Sequence, residues 1–243
     1  MIMLPLSTRI NDKVYDFHHL TFIFCCTKIL LVKTYTICLI GQHTQQAVVI
    51  GGGSVAGRKV EGLLAAEFQV RVISPELTPK LQSLVSCGAI EFVQRPYQYG
   101  DLKNIFLVIA ATNDPTTNQT VWAEAVERKC LINVVDDPQH SNFILPAVLK
   151  RGEMNIAIST GGGSPALARR LRERFEGLIG SEYGTLTDVL AELRPELIAA
   201  FPTGETRLKA ALRIVDSDIL HIIQSQGRDA ALTYAREQLH QQP

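Results

Sequence analysis

The stretch "QAVVIGGGSVAGRKVEGLLAAEFQVRVIS", Gln46 to Ser74, limits what this chain can fold into more than any other. An apolar run meets three glycines, a helical pattern follows, and a second apolar run closes the unit. Val55, Val60, Leu63 and Leu64 recur at helical spacing. Gly51-Gly52-Gly53-Ser54-Val55-Ala56 fits G-x-G-x-x-A. In that pattern Gly51 permits the tight turn, Gly53 lets a pyrophosphate approach the backbone, and the small Ala56 allows close helix–strand packing. Amides at a helix start then face the phosphates. A glycine turn alone is weak evidence of a ligand. Lying between a strand and a helix, it predicts dinucleotide binding.

The same rhythm continues. "TPKLQSLVSCG" predicts a helix ending at Gly88, "AIEFV" a strand, and "IFLVIAATND" (Ile105 to Asp114) a strand buried on both faces. "PTTNQTVWAEAVERKC" predicts a helix opening at Pro115, and "LINVV" a fifth strand. Strands alternating with helices predict a parallel sheet covered on both sides. After Asp137 the pattern changes: "NFILPAVL" and "MNIAIST" read as pairing strands, and "GGGSPALARRLRERFEGLIG" as a glycine loop feeding an amphipathic helix. From Glu182 the pattern is helical, with Pro195 expected to break or kink the first helix. The expected fold class is α/β: a Rossmann-like parallel-sheet domain (46–145), a small α+β dimerisation segment (146–180) and a helical C-terminal region (181–243).

Residues 1–45 are atypical and receive no role. "LTFIFCCTKILLVKTYTICLI" is long enough to span a membrane, but Lys28 and Lys33 lie inside it. Each would cost about 2.5–3.5 kcal/mol at the centre of a bilayer, so no membrane association is expected. Lys+Arg and Asp+Glu both number 24, leaving no global basic field to attract nucleic acid. The five cysteines, Cys25, Cys26, Cys38, Cys87 and Cys130, form no C-x-x-C pair and read as free thiols in a reducing cytoplasm.

Four blocks taken in order, "VVIGGGSVAGRK", "AATNDPTTNQ", "INVVDDPQHSNFILPAVLKRG" and "IAISTGGGSPALARRLRERFE", resemble the precorrin-2 dehydrogenase/sirohydrochlorin ferrochelatase family. This module also forms the first part of siroheme synthases. The resemblance covers Ala47 to about Gly180. It implies hydride transfer from precorrin-2 to NAD, giving sirohydrochlorin, with ferrous iron inserted as a substrate by some members. It implies cofactor contacts from Gly51, Gly52, Gly53, Ser54 and Val55, and from Pro75 and Glu76 after the second strand. The family's working aspartate falls on Asp136. The edge of the second glycine loop, phosphorylated in some relatives, falls on Ser159 and Thr160, a threonine standing where the family has serine. A homodimer is implied, with residues after about 145 forming its interface and closing the site. The chain ends at Pro243, so precorrin-2 is expected from a separate uroporphyrinogen methyltransferase.

The residues themselves agree with such chemistry. Glu76 is slightly late for a ribose-binding acid; as an acceptor for the ribose hydroxyls it favours NAD over NADP, and Arg71, inside its strand, is a poor reader of a 2′-phosphate. Asn113 ends the fourth strand near the expected cofactor; helix capping before Pro115 is the alternative reading. Asp136, at the carboxyl end of a parallel strand, is the expected general base, whereas Asp137 before Pro138 is expected to shape the turn. His140 is either a second acid/base or an ordinary loop residue. The tetrapyrrole's carboxylates need local donors, and Ser159, Thr160, Gly161, Gly162, Gly163, Ser164 and Arg169 are the expected substrate-binding set. Lys150 and Arg151 are lesser candidates. Leu167, Leu171, Phe175 and Leu178 are expected to form a buried stripe. No permanent metal site is expected. Two rival readings stay open: a nucleotide-sensing module without turnover, and another small dehydrogenase, though no Tyr-x-x-x-Lys pair follows the cofactor strands.

Overall fold

A computed structural model of the chain describes residues 34–240. The lead-in "LPLSTRI" and most of the Leu20–Ile40 stretch lie outside them. Residues 34–37 carry no regular secondary structure, and the fold itself lies in the unit that begins at Cys38. No helix among the described residues is long and apolar enough to cross a membrane.

Five strands form one parallel sheet: β1 (Gln46–Ile50), β2 (Gln69–Ile73), β3 (Glu91–Val93), β4 (Leu107–Ala110) and β5 (Leu131–Val134), in the order β3-β2-β1-β4-β5. Period-two alternation divides each strand between two cores. Ala47, Val49, Val70, Val72, Leu107 and Ile109 face α1 (Ser54–Leu64) and α2 (Pro79–Ser86), meeting Ala56, Val60, Leu63 and Leu81. Val48, Ile50, Ile73, Val108, Ala110, Ile132 and Val134 face Val121 and Ala125 of α3 (Pro115–Glu127). Strand order reverses between β1 and β4, which opens the crevice where such sheets bind ligands. β4 is shorter than the apolar run around it, because Ala111–Asp114 leave the sheet to form the turn into α3.

β5 is an edge strand, and the returning chain covers it. The Ile132 amide donates to the Asn142 side chain (2.8 Å), and the Val134 amide to Ser141 Oγ (2.9 Å). Asn133 Nδ2 donates to the Phe143 carbonyl, and Asn142 Nδ2 to the Cys130 carbonyl. Side chains thereby occupy edge groups that would otherwise recruit another strand. This is why strand pairing resumes only at β6 (Ala147–Arg151), not at Asn142 as the pattern suggested; β6 pairs antiparallel with β7 (Met154–Ile158).

α4 (Pro165–Leu178) packs on this hairpin, and α5 (Glu182–Ala200), α6 (Gly204–Val215), α7 (Ile219–Gln226) and α8 (Arg228–His240) share a third core around Val189, Leu193, Ile214, Ile219, Ala231 and Ala235. The expected break at Pro195 and the expected buried stripe on α4 do not occur. α5 runs unbroken through Pro195, its face of Leu186, Val189, Leu193 and Leu197 buried on both sides of the proline, so packing outweighs the lost hydrogen bond. The α4 stripe is not buried within the chain: Leu167 is 51% exposed and Leu178 72%, with Ala168 the buried residue of the helix.

Candidate active site

The carboxyl ends of β1, β2, β4 and β5 bring together the glycine turn, the loop 74–78, the loop 111–114 and the turn 135–140. The three glycines differ. Gly51 has φ +117, and a Cβ there would lie 2.5 Å from the Ala111 carbonyl oxygen, so only glycine fits. A Cβ on Gly52 would strike the backbone oxygen of Glu76, while the Thr78 amide donates to the Gly52 carbonyl (3.0 Å). Gly53 has ordinary extended backbone and open space where a Cβ would point. α1 begins there with no side-chain cap and no acid in its first turn. The amides of Ser54 and Val55 and the clear approach over Gly53 therefore fit a dinucleotide pyrophosphate, which these residues would hold.

This difference is testable. Gly53→Ala is expected to change stability by no more than about 1 kcal/mol while weakening dinucleotide binding about tenfold or more. Gly52→Ala is expected to cost about 1–3 kcal/mol of stability through overpacking. Urea denaturation and calorimetric titration with NAD read both; an NAD affinity unchanged in Gly53→Ala contradicts the close approach.

Pro75 and Glu76 lie in the loop between β2 and α2, both exposed. Glu76 precedes α2 by three residues and is not part of its first turn. Ser74 Oγ donates to the Glu76 carbonyl (2.7 Å), which holds this loop against Gly52. Arg71 is committed elsewhere, in an ion pair with Glu91 of β3 at 2.8 Å. Asn113 is exposed in the loop after β4 and does not cap α3: Asp114 does, accepting from the Thr116 and Thr117 amides. The Thr117 hydroxyl, followed by those amides, holds the Asp114 carboxyl below the usual carboxylate range.

Asp136 and Asp137 separate cleanly. Asp137 accepts from the amides of Gln139 and His140 and pairs with His140 Nδ1 at 2.6 Å. Ser141 Oγ donates to its carbonyl (2.8 Å). The hydrogen bond from His140, more than the backbone amides, lowers the Asp137 carboxyl. His140 in turn packs edge-on against Trp122, ring centroids 4.8 Å apart. Both residues build the turn. Asp136 is exposed and has φ +60, a left-handed conformation that Asp and Asn tolerate best among residues with a Cβ. Nothing in the sequence marked this strain.

The second glycine loop is largely occupied with itself. The Gly161 amide donates to Ser159 Oγ, the Gly163 amide to the Thr160 carbonyl, the Ser164 amide to Thr160 Oγ1, and the Leu167 amide to Ser164 Oγ. Gly161 and Gly162 have φ of +61 and +83. Arg169 pairs with Glu173 at 3.0 Å and stays 77% exposed at its side chain. Arg151 closes the end of α4, donating to the carbonyls of Glu176 and Ile179. Among the described residues no cluster of three or more His, Cys, Asp or Glu is placed to hold a metal.

Residues 39–147 match the NAD(P)-binding family, and residues 151–178 match the central segment of sirohaem biosynthesis proteins. The siroheme synthase of Thioalkalivibrio sulfidiphilus is 39% identical over 184 residues, 76% of this chain and 38% of that protein. That of Methylobacillus flagellatus is 38% identical over 196 residues, 79% of this chain and 41% of that protein. The chain thus spans about two fifths of the length of these curated relatives. A solved structure of SirC, a precorrin-2 dehydrogenase, superposes with a TM-score of 0.68 at 24% identity, covering 84% of this chain and 100% of that one. That likeness is one of fold: a five-stranded nucleotide-binding sheet, a hairpin and a helical C-terminal region. With both sequence segments matched in order on that architecture, the chain belongs to the family of the siroheme synthase N-terminal module.

Proposed function

We propose that the protein is an NAD-dependent precorrin-2 dehydrogenase that forms sirohydrochlorin in siroheme biosynthesis. The observation that carries this reading is an exposed carboxylate, Asp136, held on a strained turn at the same sheet edge as the open glycine turn. Bound NAD supplies a hydride acceptor. The chain itself has to hold the dinucleotide, orient the macrocycle and remove a proton. The helix start at Gly53–Val55 does the first, and Asp136 the last. Glu76, exposed beside Gly52, is the acceptor for the ribose hydroxyls, which selects NAD over NADP. Insertion of ferrous iron releases two pyrrole protons, which the same carboxylate would accept one at a time, passing each to solvent; iron is then a substrate.

A homodimer belongs to this reading. Leu167, Phe175 and Leu178 on α4, and Leu145 and Val148 at the hairpin, are each exposed and would be covered by a partner. Ser159–Ser164 and Arg169 lie on the same segment and, in the dimer, bind the carboxylates of the tetrapyrrole. Sedimentation of the purified protein reads the oligomeric state directly. The function is tested by anaerobic absorbance with enzymatically generated precorrin-2 and NAD. Sirohydrochlorin should appear, and ferrous iron added afterwards reads chelation. A protein that binds NAD and leaves precorrin-2 unchanged would instead be a nucleotide-binding module.

A further inference from the structure

Lys59 is a half-buried lysine on α1 with no hydrogen-bonding or ion-pair partner among the described residues. The other charged groups around it are accounted for. Glu61, the acid nearest it on the helix, is paired with Lys80, and Arg58 is a cation. Asp136 is the carboxylate whose field reaches Lys59, yet the two form no ion pair. Their neighbours in sequence, Val60 and Val135, pack in one core on the same face of the sheet. Burial, then Arg58, pushes the Lys59 ammonium below the usual lysine range, while Asp136 acts in the opposite direction.

A desolvated ammonium without a counter-charge is costly unless something anionic arrives to meet it. The dinucleotide pyrophosphate has its own donors at the start of α1. Lys59 lies five residues further on, about 7.5 Å along the helix axis at 1.5 Å per residue. It is therefore not one of the helix-start donors. We propose that Lys59 is the anchor for one carboxylate arm of the tetrapyrrole, fixing the macrocycle beside Asp136. This rests on the substrate reading above, and it adds a cation that neither the glycine motif nor the aspartate motif contains.

The test is binding, so that it stands apart from turnover. Uroporphyrin, a fully oxidised tetrapyrrole with eight carboxylates, is titrated into wild type, Lys59→Met and Lys59→Arg, following porphyrin fluorescence, with NAD titrated separately by calorimetry. Methionine keeps the aliphatic bulk of a half-buried side chain, and a thermal melt checks each fold. The expected result is a loss of porphyrin affinity of about tenfold or more in Lys59→Met, recovery in Lys59→Arg, and the same NAD affinity in all three. Unchanged porphyrin affinity in Lys59→Met overturns the anchor. Loss of NAD affinity instead assigns Lys59 to the dinucleotide phosphates and overturns it too. If wild type binds NAD but not uroporphyrin, the substrate reading itself fails, and the anchor with it.

Discussion

Asp136→Asn is expected to bind NAD as wild type does and to lose precorrin-2 dehydrogenation by about 10²–10⁴-fold, the range for removing a positioned general base. Asparagine is the informative substitution because the backbone at Asp136 is left-handed, at φ +60. Asn accepts that conformation about as readily as Asp, so the turn keeps its shape and only the proton acceptor disappears. Asp136→Ala removes the same acceptor but adds backbone strain of about 1–2 kcal/mol, so a loss there would mix two causes. The control is the adjacent carboxylate. Asp137→Asn weakens the bonds that shape the turn, to the Gln139 and His140 amides and the His140 ring, and is expected to act through stability more than through turnover. Single-turnover absorbance with saturating NAD separates the two. Turnover retained within about threefold in Asp136→Asn would remove this residue from proton transfer and leave positioning as its role.

The loop acquires this arrangement from residues that look unremarkable one by one. Ser141 and Asn142 turn back along β5 and take its edge amides, which fixes the length of the excursion from Val135 to His140. Asp137 then closes a short 3-10 turn at Pro138–His140. Asp136 is left at the one position in the loop whose backbone is left-handed, with its carboxylate turned out of the turn's own hydrogen bonds. A general base needs such freedom, because a carboxylate already accepting two amides is a poorer base.

The parallel sheet was legible because strands buried on both faces write continuous apolar runs, and the glycine turn because close backbone approach admits few other residues. Motif order also carried the separation of Asp136 from Asp137, since a carboxylate just before a proline suits a capping role. What stayed hidden depends on contacts distant in sequence. Apolar residues at helical spacing on α4 predict burial but not by what, and within one chain Leu167 and Leu178 stay exposed. Pro195 reads as a break only while the packing on either side of it is unknown. Lys59 sits in a run of charged residues where solvation is the ordinary expectation, and only the fold shows it half-buried. Arg151, a candidate for substrate charge in sequence, is spent on helix carbonyls.

Glu124 is the extreme case of this kind, and the stability of the sheet domain is expected to depend on it. Nothing in "WAEAVERKC" sets it apart, yet its side chain is fully buried. Its carboxylate accepts from the Tyr97 hydroxyl, from the Gly100 amide (2.9 Å) and the Leu102 amide (3.3 Å), and from Arg128 Nε (2.5 Å). The loop between β3 and β4 is thereby fastened to α3, whose first turn borders the nucleotide edge. Burial alone would raise the Glu124 carboxyl, but these donors outweigh it and hold it below the ordinary carboxylate range. Burial and the neighbouring carboxylate push the Tyr97 phenol up, so it remains a donor well into alkali. Glu124→Ala leaves a tyrosine, two amides and a guanidinium without their acceptor and is expected to cost about 3–5 kcal/mol. Glu124→Gln keeps the volume but sets an NH₂ donor among donors, and should also be destabilising. The sign with pH follows from the depressed carboxyl. Its contribution is complete above the unfolded value near 4.5 and is lost as pH falls through the lower folded value. Urea denaturation between pH 7 and pH 3 should therefore show the gap between wild type and Glu124→Gln narrowing on the acid side. A Glu124→Ala protein within about 1 kcal/mol of wild type at pH 7 would mean that the loop holds to α3 by apolar packing through Leu102 and Val121 instead.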